Sequence, residues 1–128
     1  MKSLLRTCGQ ARESQTAQSW GSLQWLASSG IGNSDHMTLG RVIIKRGYSN
    51  PRHSHPGCDE ILHLLRGRLQ HSLGSDTVKL DAGDTLVIER GVAHNAVSVG
   101  DEDAEMIVAY PTGHRDFRPE TAADGECR

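Results

Sequence analysis

Eight short apolar runs, each closed by turn-forming residues, dominate the middle of the chain. They are SLQWLA, MTLGRVIIK, EILHLL, RLQHSL, TVKL, TLVI, HNAVSV and AEMIVAY. Runs of this length with Gly, Asp, Asn or Pro at their ends and regular close spacing are typical of an antiparallel sandwich or barrel. No stretch of this region sustains a 3.6-residue apolar stripe over three turns. The sequence therefore predicts an all-β fold, an antiparallel β-sandwich or jelly-roll barrel.

The length of the chain is sufficient for a single hydrophobic core. It has 128 residues, of which 36% are hydrophobic, about what one ordinary domain needs. We expect the barrel to occupy residues 19–112. Residues 1–18 are polar and carry no sustained period, which predicts a mobile arm or a short helix. Residues 113–128 are expected to form a tail that carries no core.

The net charge and the cysteine content limit the classes of partner and the cellular compartment that we expect for this protein. The formal net charge is −2, so the basic surface that attracts nucleic acid is missing. The apolar run before Arg6 has two residues, whereas a secretory signal needs roughly 7–15 and a membrane span about 20. The three cysteines, Cys8, Cys58 and Cys127, are odd in number and scattered, which does not fit a disulfide framework. We therefore expect a cytoplasmic protein with neither nucleic acid nor membrane as a partner.

The stretch HSHPGCDE, residues 53–60, concentrates metal-binding side chains. His53 and His55 are two apart, so on a strand both imidazoles project from one face. Residues 56–59 predict a reversal, because Pro presets φ and Gly accepts a positive φ. Glu60 then begins the next strand and can point back towards both rings. Two imidazoles and one carboxylate on one face of a metal leave coordination positions open, unlike a closed structural zinc site.

A further ligand is expected from the second half of the chain. His94 follows the turn at residues 89–91 and leads the next predicted strand. Its position just after a glycine turn, facing the same core, parallels that of His53.

The histidine stretch resembles the first motif of the cupin superfamily of small β-barrels. That motif is commonly written G-x5-H-x-H-x3–4-E-x6-G. The segment GYSNPRHSHPGCDEILHLLRG, from Gly47 to Gly67, matches it at every fixed position. Five fixed residues at fixed spacing make this a specific resemblance.

The second cupin motif, G-x5-P-x-G-x2-H-x3-N, is similar to GDTLVIERGVAHNAVS. Gly83, Gly91 and His94 match, while Glu89 stands in place of the proline and Ser98 in place of the asparagine. The resemblance covers roughly residues 38–112 and implies a cupin barrel.

Carried over residue by residue, the resemblance implies one divalent metal inside the barrel, held by His53, His55, Glu60 and His94. Family members use iron, manganese, nickel, zinc or copper. Imidazole and carboxylate together suit most first-row metals, so the ligand types do not choose among these five.

Two further histidines are separated by strand phase. His71 alternates with Leu69 and Leu73, so it faces inward if these leucines do. An inward His71 is our candidate for the catalytic group that transfers protons, and a hydrogen-bonded core histidine is the alternative. His63 is out of phase with Glu60 and is expected to face away from the barrel interior.

The cysteine and tryptophan residues each allow a structural interpretation as well as a functional one. Cys58 is a metal thiolate, a redox switch or a simple turn residue, and we favour the turn residue because nothing nearby in sequence lowers a thiol pKa. Trp20 and Trp25 either shape a pocket or pack an N-terminal strand against the barrel or a second subunit, and we favour packing.

Three classes of function follow from such a site. The first is a metal-dependent enzyme acting on a small oxygen-rich molecule, with dioxygenase, isomerase or lyase chemistry. The second is a module that binds a sugar or carboxylate without turnover, and the third is a barrel in which the metal has only a structural role. The fold alone does not decide among them. We also expect a homodimer, formed through the MTLGRVIIK strand and the tryptophan-bearing segment before it.

Overall fold

The computed structural model of the protein describes residues 4–120. Within that range one short helix precedes a series of strands. They are α1 (Cys8–Glu13), β1 (Thr16–Gln18), β2 (Gly21–Ala27), β3 (Thr38–Ile44), β4 (His53–Ser54), β5 (Glu60–Arg66), β6 (Arg68–Leu73), β7 (Asp76–Asp81), β8 (Thr85–Ile88), β9 (His94–Ser98), β10 (Ala104–Tyr110) and β11 (Arg118–Pro119). Each of the eight apolar runs forms one of the longer strands, which confirms the all-β prediction. No helix in the described part of the chain is long and apolar enough to cross a membrane.

The strands form two sheets with antiparallel pairing throughout. The first has six strands in the order β1-β2-β3-β10-β5-β8, and the second has five in the order β11-β4-β9-β6-β7. Strands that are distant in sequence become neighbours, since β10 lies between β3 and β5, and β9 between β4 and β6. This order brings the two histidine-bearing segments side by side in the smaller sheet.

Along the strands, buried side chains alternate with less buried ones, and the buried side chains fill the space between the two sheets. In β10 every second residue from Ala104 to Tyr110 is buried, and in β5 the buried positions are Glu60, Leu62 and Leu64. Side chains two apart share a face, so the apolar residues of these strands meet in one core. Burial of these side chains is the main force that holds the sheets together.

A glycine that no other residue can replace makes the tight connection from β5 to β6. Gly67 has φ +84°, a left-handed conformation that L side chains rarely adopt. A Cβ built at this position would lie 2.8 Å from the Cα of Ala104, which is too close for any side chain. The last fixed glycine of the first motif is therefore required by both the backbone and the packing.

The described part of the N-terminal segment holds a short helix, one of the two forms expected for it. Thr7 caps α1, because its hydroxyl accepts from the backbone N–H of Gln10 while the Gln10 side chain accepts from the N–H of Thr7. Arg6 then donates from Nε to the backbone oxygen of Trp25 at 3.2 Å. This contact fastens the start of the helix to β2.

Candidate metal centre

Four donor side chains meet between the two sheets. His53 comes from β4, Glu60 from the start of β5 and His94 from the start of β9, while His55 lies just beyond β4. One ligand atom from each lies within 4.8 Å of those from the other three. His55, Glu60 and His94 are buried and His53 is half-buried. The structure thus brings together the four residues singled out from the sequence.

Backbone carbonyl groups fix the orientation of all three imidazoles. The Nδ1 atoms of His53, His55 and His94 each lie near a carbonyl oxygen. The partners are Pro51 at 2.8 Å, Asp116 at 2.6 Å and Val92 at 2.8 Å. A carbonyl oxygen only accepts, so Nδ1 is the protonated nitrogen and Nε2 of a neutral ring keeps its lone pair. This is the arrangement found in histidines that bind metals through Nε2.

The buried polar atoms at the centre lack a donor. Glu60 Oε1 lies 3.2 Å from Nε2 of His55 and 3.2 Å from Nε2 of His94. None of these three atoms has a hydrogen-bond partner with acceptable geometry. Buried acceptors without donors are costly, and a cation that binds all of them removes that cost. Three nitrogen donors and one carboxylate therefore fit a divalent transition metal.

The ionisation states of two of the donors also suit a metal. Burial alone would raise the pKa of Glu60, but hydrogen bonds and positive charge from the His55 and His94 rings, when these carry a proton on Nε2 as well, outweigh burial and lower the pKa to about 2. Burial, followed by the charge of His94, lowers the pKa of His53 to about 4. At neutral pH the carboxylate is ionised and His53 is neutral, which are the forms that bind a metal.

The segment after β10 holds the turn of the first motif. The backbone N–H of Gly57 donates to Oδ2 of Asp116 at 2.7 Å, and the backbone oxygen of Asp116 is the partner of His55. The predicted reversal forms, but the reason given for its glycine was wrong, because Gly57 does not have a positive φ. A Cβ there would lie 3.0 Å from Asp116 Oδ2, so the glycine admits the carboxylate instead.

The turn of the second motif packs against the first motif. Gly91 has φ +79°, and its N–H donates to the backbone oxygen of His55 at 3.0 Å. Arg90 donates from its backbone N–H to Oδ1 of Asp59 at 2.8 Å. The turn closes with Glu89 at the position where the motif has proline, since the N–H of Val92 donates to the Glu89 oxygen at 3.2 Å.

A cavity of about 190 Å³ adjoins the four donors. Most of its lining is apolar and comes from both sheets, and Trp20 and Trp25 both take part in it. Each tryptophan also packs against the core of the barrel, so both residues line the cavity and have a packing role. The volume is below the roughly 300–1,000 Å³ typical of pockets for drug-sized ligands, which indicates a small ligand.

His71 lies inside, as its strand phase predicted. It is 1% exposed, lines the cavity, and stacks on His94 with ring centroids 5.7 Å apart. Its Nδ1 donates to the backbone oxygen of Ser72 at 2.9 Å, which leaves Nε2 as the free nitrogen. Burial, followed by the charge of His94, lowers the pKa of His71 to about 4. His63 lies on the opposite face of β5 and contacts Thr85 Oγ1 at 2.8 Å, which confirms its outward prediction.

Cys58 is a buried residue of the turn and is not one of the four clustered donors. Its Sγ lies 3.8 Å from Oδ1 of Asp116. Burial and the negative charge of Asp116 raise the pKa of the thiol above its ordinary value of 9.0. The surroundings thus keep the sulfur protonated and unreactive. Cys127 lies outside the described residues.

Sequence reasoning missed two side chains that line the cavity beside the donors. The Phe117 ring stacks on His53 with centroids 4.8 Å apart. The Arg115 guanidinium lies over Trp25, 4.3 Å from the ring centroid. Both belong to a polar stretch without strand alternation, and the one available signal was an aromatic residue between charged ones.

The structure is a β-sandwich in which three histidines and one carboxylate cluster beside an internal cavity. This combination is typical of a class of small metal-binding barrels. The chain belongs to the cupin family, because a family model described as a cupin domain matches residues 40–110.

Two similar proteins support the assignment to the cupin family. Germin-like protein 3-8 of Oryza sativa subsp. japonica is 34% identical over 79 residues, which are 58% of this chain and 35% of that protein. Oxalate oxidase 1 of Hordeum vulgare is 31% identical over 97 residues, 68% of this chain and 45% of the relative. The chain therefore spans less than half the length of these relatives.

A solved structure shows the same fold. Oxalate decarboxylase of Bacillus subtilis, in a structure described by its Mn(II) centres, superposes with a TM-score of 0.78 at 19% identity. The match covers 86% of this chain and 31% of that one.

Proposed function

We propose that the protein is an enzyme that acts on a small oxygen-rich molecule at a divalent metal held by His53, His55, Glu60 and His94. The observation that carries this proposal is the convergence of three imidazole nitrogens and one carboxylate oxygen, from three buried residues and one half-buried residue, beside a cavity. A metal with a purely structural role needs no such adjoining space, whereas a substrate does. The relatives named for oxalate oxidation and oxalate decarboxylation support an oxygen-rich substrate.

A divalent ion held there would supply Lewis-acid polarisation of a carbonyl or enolate oxygen and, if it were iron, a place for dioxygen. The chain's own residues do the rest. The carbonyl groups behind each Nδ1 hold the rings in one orientation, and the apolar walls exclude water from the ligand. Isomerase, lyase and dioxygenase chemistry all use these contributions.

His71 is the residue that we propose for proton transfer. It is buried, lines the cavity beside His94, and is not one of the four clustered donors. With Nδ1 bonded to the Ser72 carbonyl, its Nε2 is the atom that can take up or deliver a proton.

Manganese is the first metal to test among iron, manganese, nickel, zinc and copper. The Mn(II) centres named for the Bacillus subtilis decarboxylase support this order. The donor set itself accepts all five metals.

We also propose that two copies of the chain associate through the outer face of the six-stranded sheet. Leu39, Ala109, Ile61 and Val87 are successive ladder partners across β3, β10, β5 and β8. Leu39, Ile61 and Val87 are exposed, and such an apolar row favours a second copy. A sedimentation profile of a monomer at micromolar concentration would contradict this.

Metal content tests the proposed function. The wild type, purified without a metal-affinity tag, is analysed by elemental mass spectrometry beside a His53→Ala/His94→Ala variant. We expect close to one metal ion per wild-type chain, and none in a variant whose circular dichroism still shows the barrel. A wild type that stays empty after reconstitution would refute the proposal, and unfolding of the variant would point to a structural metal.

A further inference from the structure

The positively charged side chain of Arg115 lines the cavity of the candidate metal centre and contacts three aromatic rings. The Arg115 guanidinium carbon lies 4.3 Å from the Trp25 ring centroid, 5.5 Å from that of Phe117 and 5.7 Å from that of Tyr110. Aromatic faces attract a guanidinium and hold it in place, yet they leave the N–H groups at its edge unpaired. The rings thus position the charge without satisfying its donors.

Arg115 pairs with no carboxylate within residues 4–120. Several other arginines do form such pairs, for example Arg41 with Glu105 at 2.6 Å and Arg52 with Glu120 at 2.9 Å. Arg115 is half-buried, and no hydrogen bond to its guanidinium occurs in this part of the chain. A guanidinium carries five donors in a fork that matches a carboxylate, so this one is available to a ligand.

With a divalent metal on the four donors, the charges around the cavity favour an anion. Glu60 is the one acidic residue in its lining, and Arg115 offsets that charge. A divalent metal on the four donors would make the cavity positive. The rings of Tyr110 and Phe117 contact both the guanidinium and a donor histidine, since the Tyr110 ring centroid lies 5.0 Å from that of His55 and Phe117 stacks on His53. A ligand that contacts both the guanidinium and the donors passes along these rings and carries a polar group for each of the two.

We propose that Arg115 determines substrate specificity by binding a carboxylate of a small organic acid whose oxygen atoms at the other end reach the His/Glu cluster. This inference rests on the proposed function and names its substrate class as small organic acids with a carboxylate remote from the metal. The three rings fix the guanidinium over the cavity, and the apolar walls between the two polar ends receive the carbon chain.

The test compares diacids with their monoamides. Succinate and glutarate, and the monoamide of each, are titrated by NMR and calorimetry into wild type, Arg115→Gln, Arg115→Lys and Arg118→Gln. Each protein is studied both with Mn²⁺ and without metal. Arg118 is the matched control, because it lies three residues further along the same segment, is exposed, and does not line this cavity. The metal content of every sample is measured separately.

We expect the wild type to bind at least one diacid about 10- to 100-fold more tightly than its monoamide, the range expected for a charge-assisted pair. Arg115→Gln should abolish this preference, Arg115→Lys should keep part of it, and Arg118→Gln should keep it all. An equal preference in wild type and Arg115→Gln, or no preference in the wild type with or without metal, would overturn the inference. Absence of metal in the wild type refutes the proposed function alone, because the metal-free titrations still report on Arg115.

Discussion

His53 and His94 are direct partners across the ladder of β4 and β9, and their ring centroids lie 4.4 Å apart. One comes from the first histidine motif and the other from the second. Partners in a ladder point to the same face, so this register alone sets two of the four donors together. A slip of one residue would turn one ring to the other face of the sheet.

Replacing Asp116 tests how the turn is held in place. We expect Asp116→Ala to weaken metal binding by roughly tenfold, because it removes the acceptor for Gly57 N–H and loosens the segment whose backbone oxygen orients His55. Competition titration with a chelator measures this. Asp116→Asn is the matched control, since its amide oxygen still accepts, and it should stay within a few-fold of wild type. Equal affinities for the alanine and asparagine variants would argue against such a role.

The proposed role of His71 has a direct kinetic test. We expect His71→Gln to retain stoichiometric metal and to lower kcat by about 10²- to 10⁴-fold, the usual range for a lost general acid or base. His63→Gln is the control, because His63 lies on the outward face of β5. An unchanged rate in His71→Gln would remove this residue from the mechanism.

Thiol reactivity should distinguish the two cysteines of the described chain. Cys58 is buried and its pKa is raised, whereas Cys8 is exposed. A raised pKa lowers the thiolate fraction at pH 8, so Cys58 should react with a disulfide reagent at least about tenfold more slowly. Its rate should still be rising above pH 9. The measurement uses variants that retain one cysteine each, with Cys127 replaced by serine in both. Equal rates would show that the turn does not shield Cys58.

Two adjacent leucines in β5 give a matched pair for stability. Leu64 is 0% exposed and Leu65 is 40% exposed. Leu64→Ala should lower the free energy of unfolding by about 2–5 kcal/mol through a core cavity, and Leu65→Ala by no more than about 0.5 kcal/mol. Urea denaturation followed by circular dichroism measures both. Similar losses in the two variants would contradict the burial pattern of the strand.

The strands of the barrel could be predicted because burial leaves a period of two in the sequence. AEMIVAY shows it directly, since Ala104, Met106, Val108 and Tyr110 are all buried in β10. The short strands β1, β4 and β11 have two or three residues each, too few to show a period. Their pairing depends on neighbours that are distant in the chain.

The donors of the site could be predicted because spacing and chemistry coincide in the two motifs. The role of Gly57 was misjudged because it depends on Asp116, which lies 59 residues further along. Arg115 and Phe117 could not be found, since a side chain that reaches a cavity from a polar segment leaves no local pattern. Contacts of this kind are set by tertiary structure alone.

Residues 113–120 fold back over the four donor residues. A variant shortened at this end would therefore lose part of the site. A fragment ending at Thr112 would contain the whole family match and all four donors. It would nevertheless lack Phe117, Arg115 and the carbonyl that orients His55, so one side of the cavity would open to water. Deletion at this end would therefore remove β11, one wall of the cavity and the proposed carboxylate-binding side chain together.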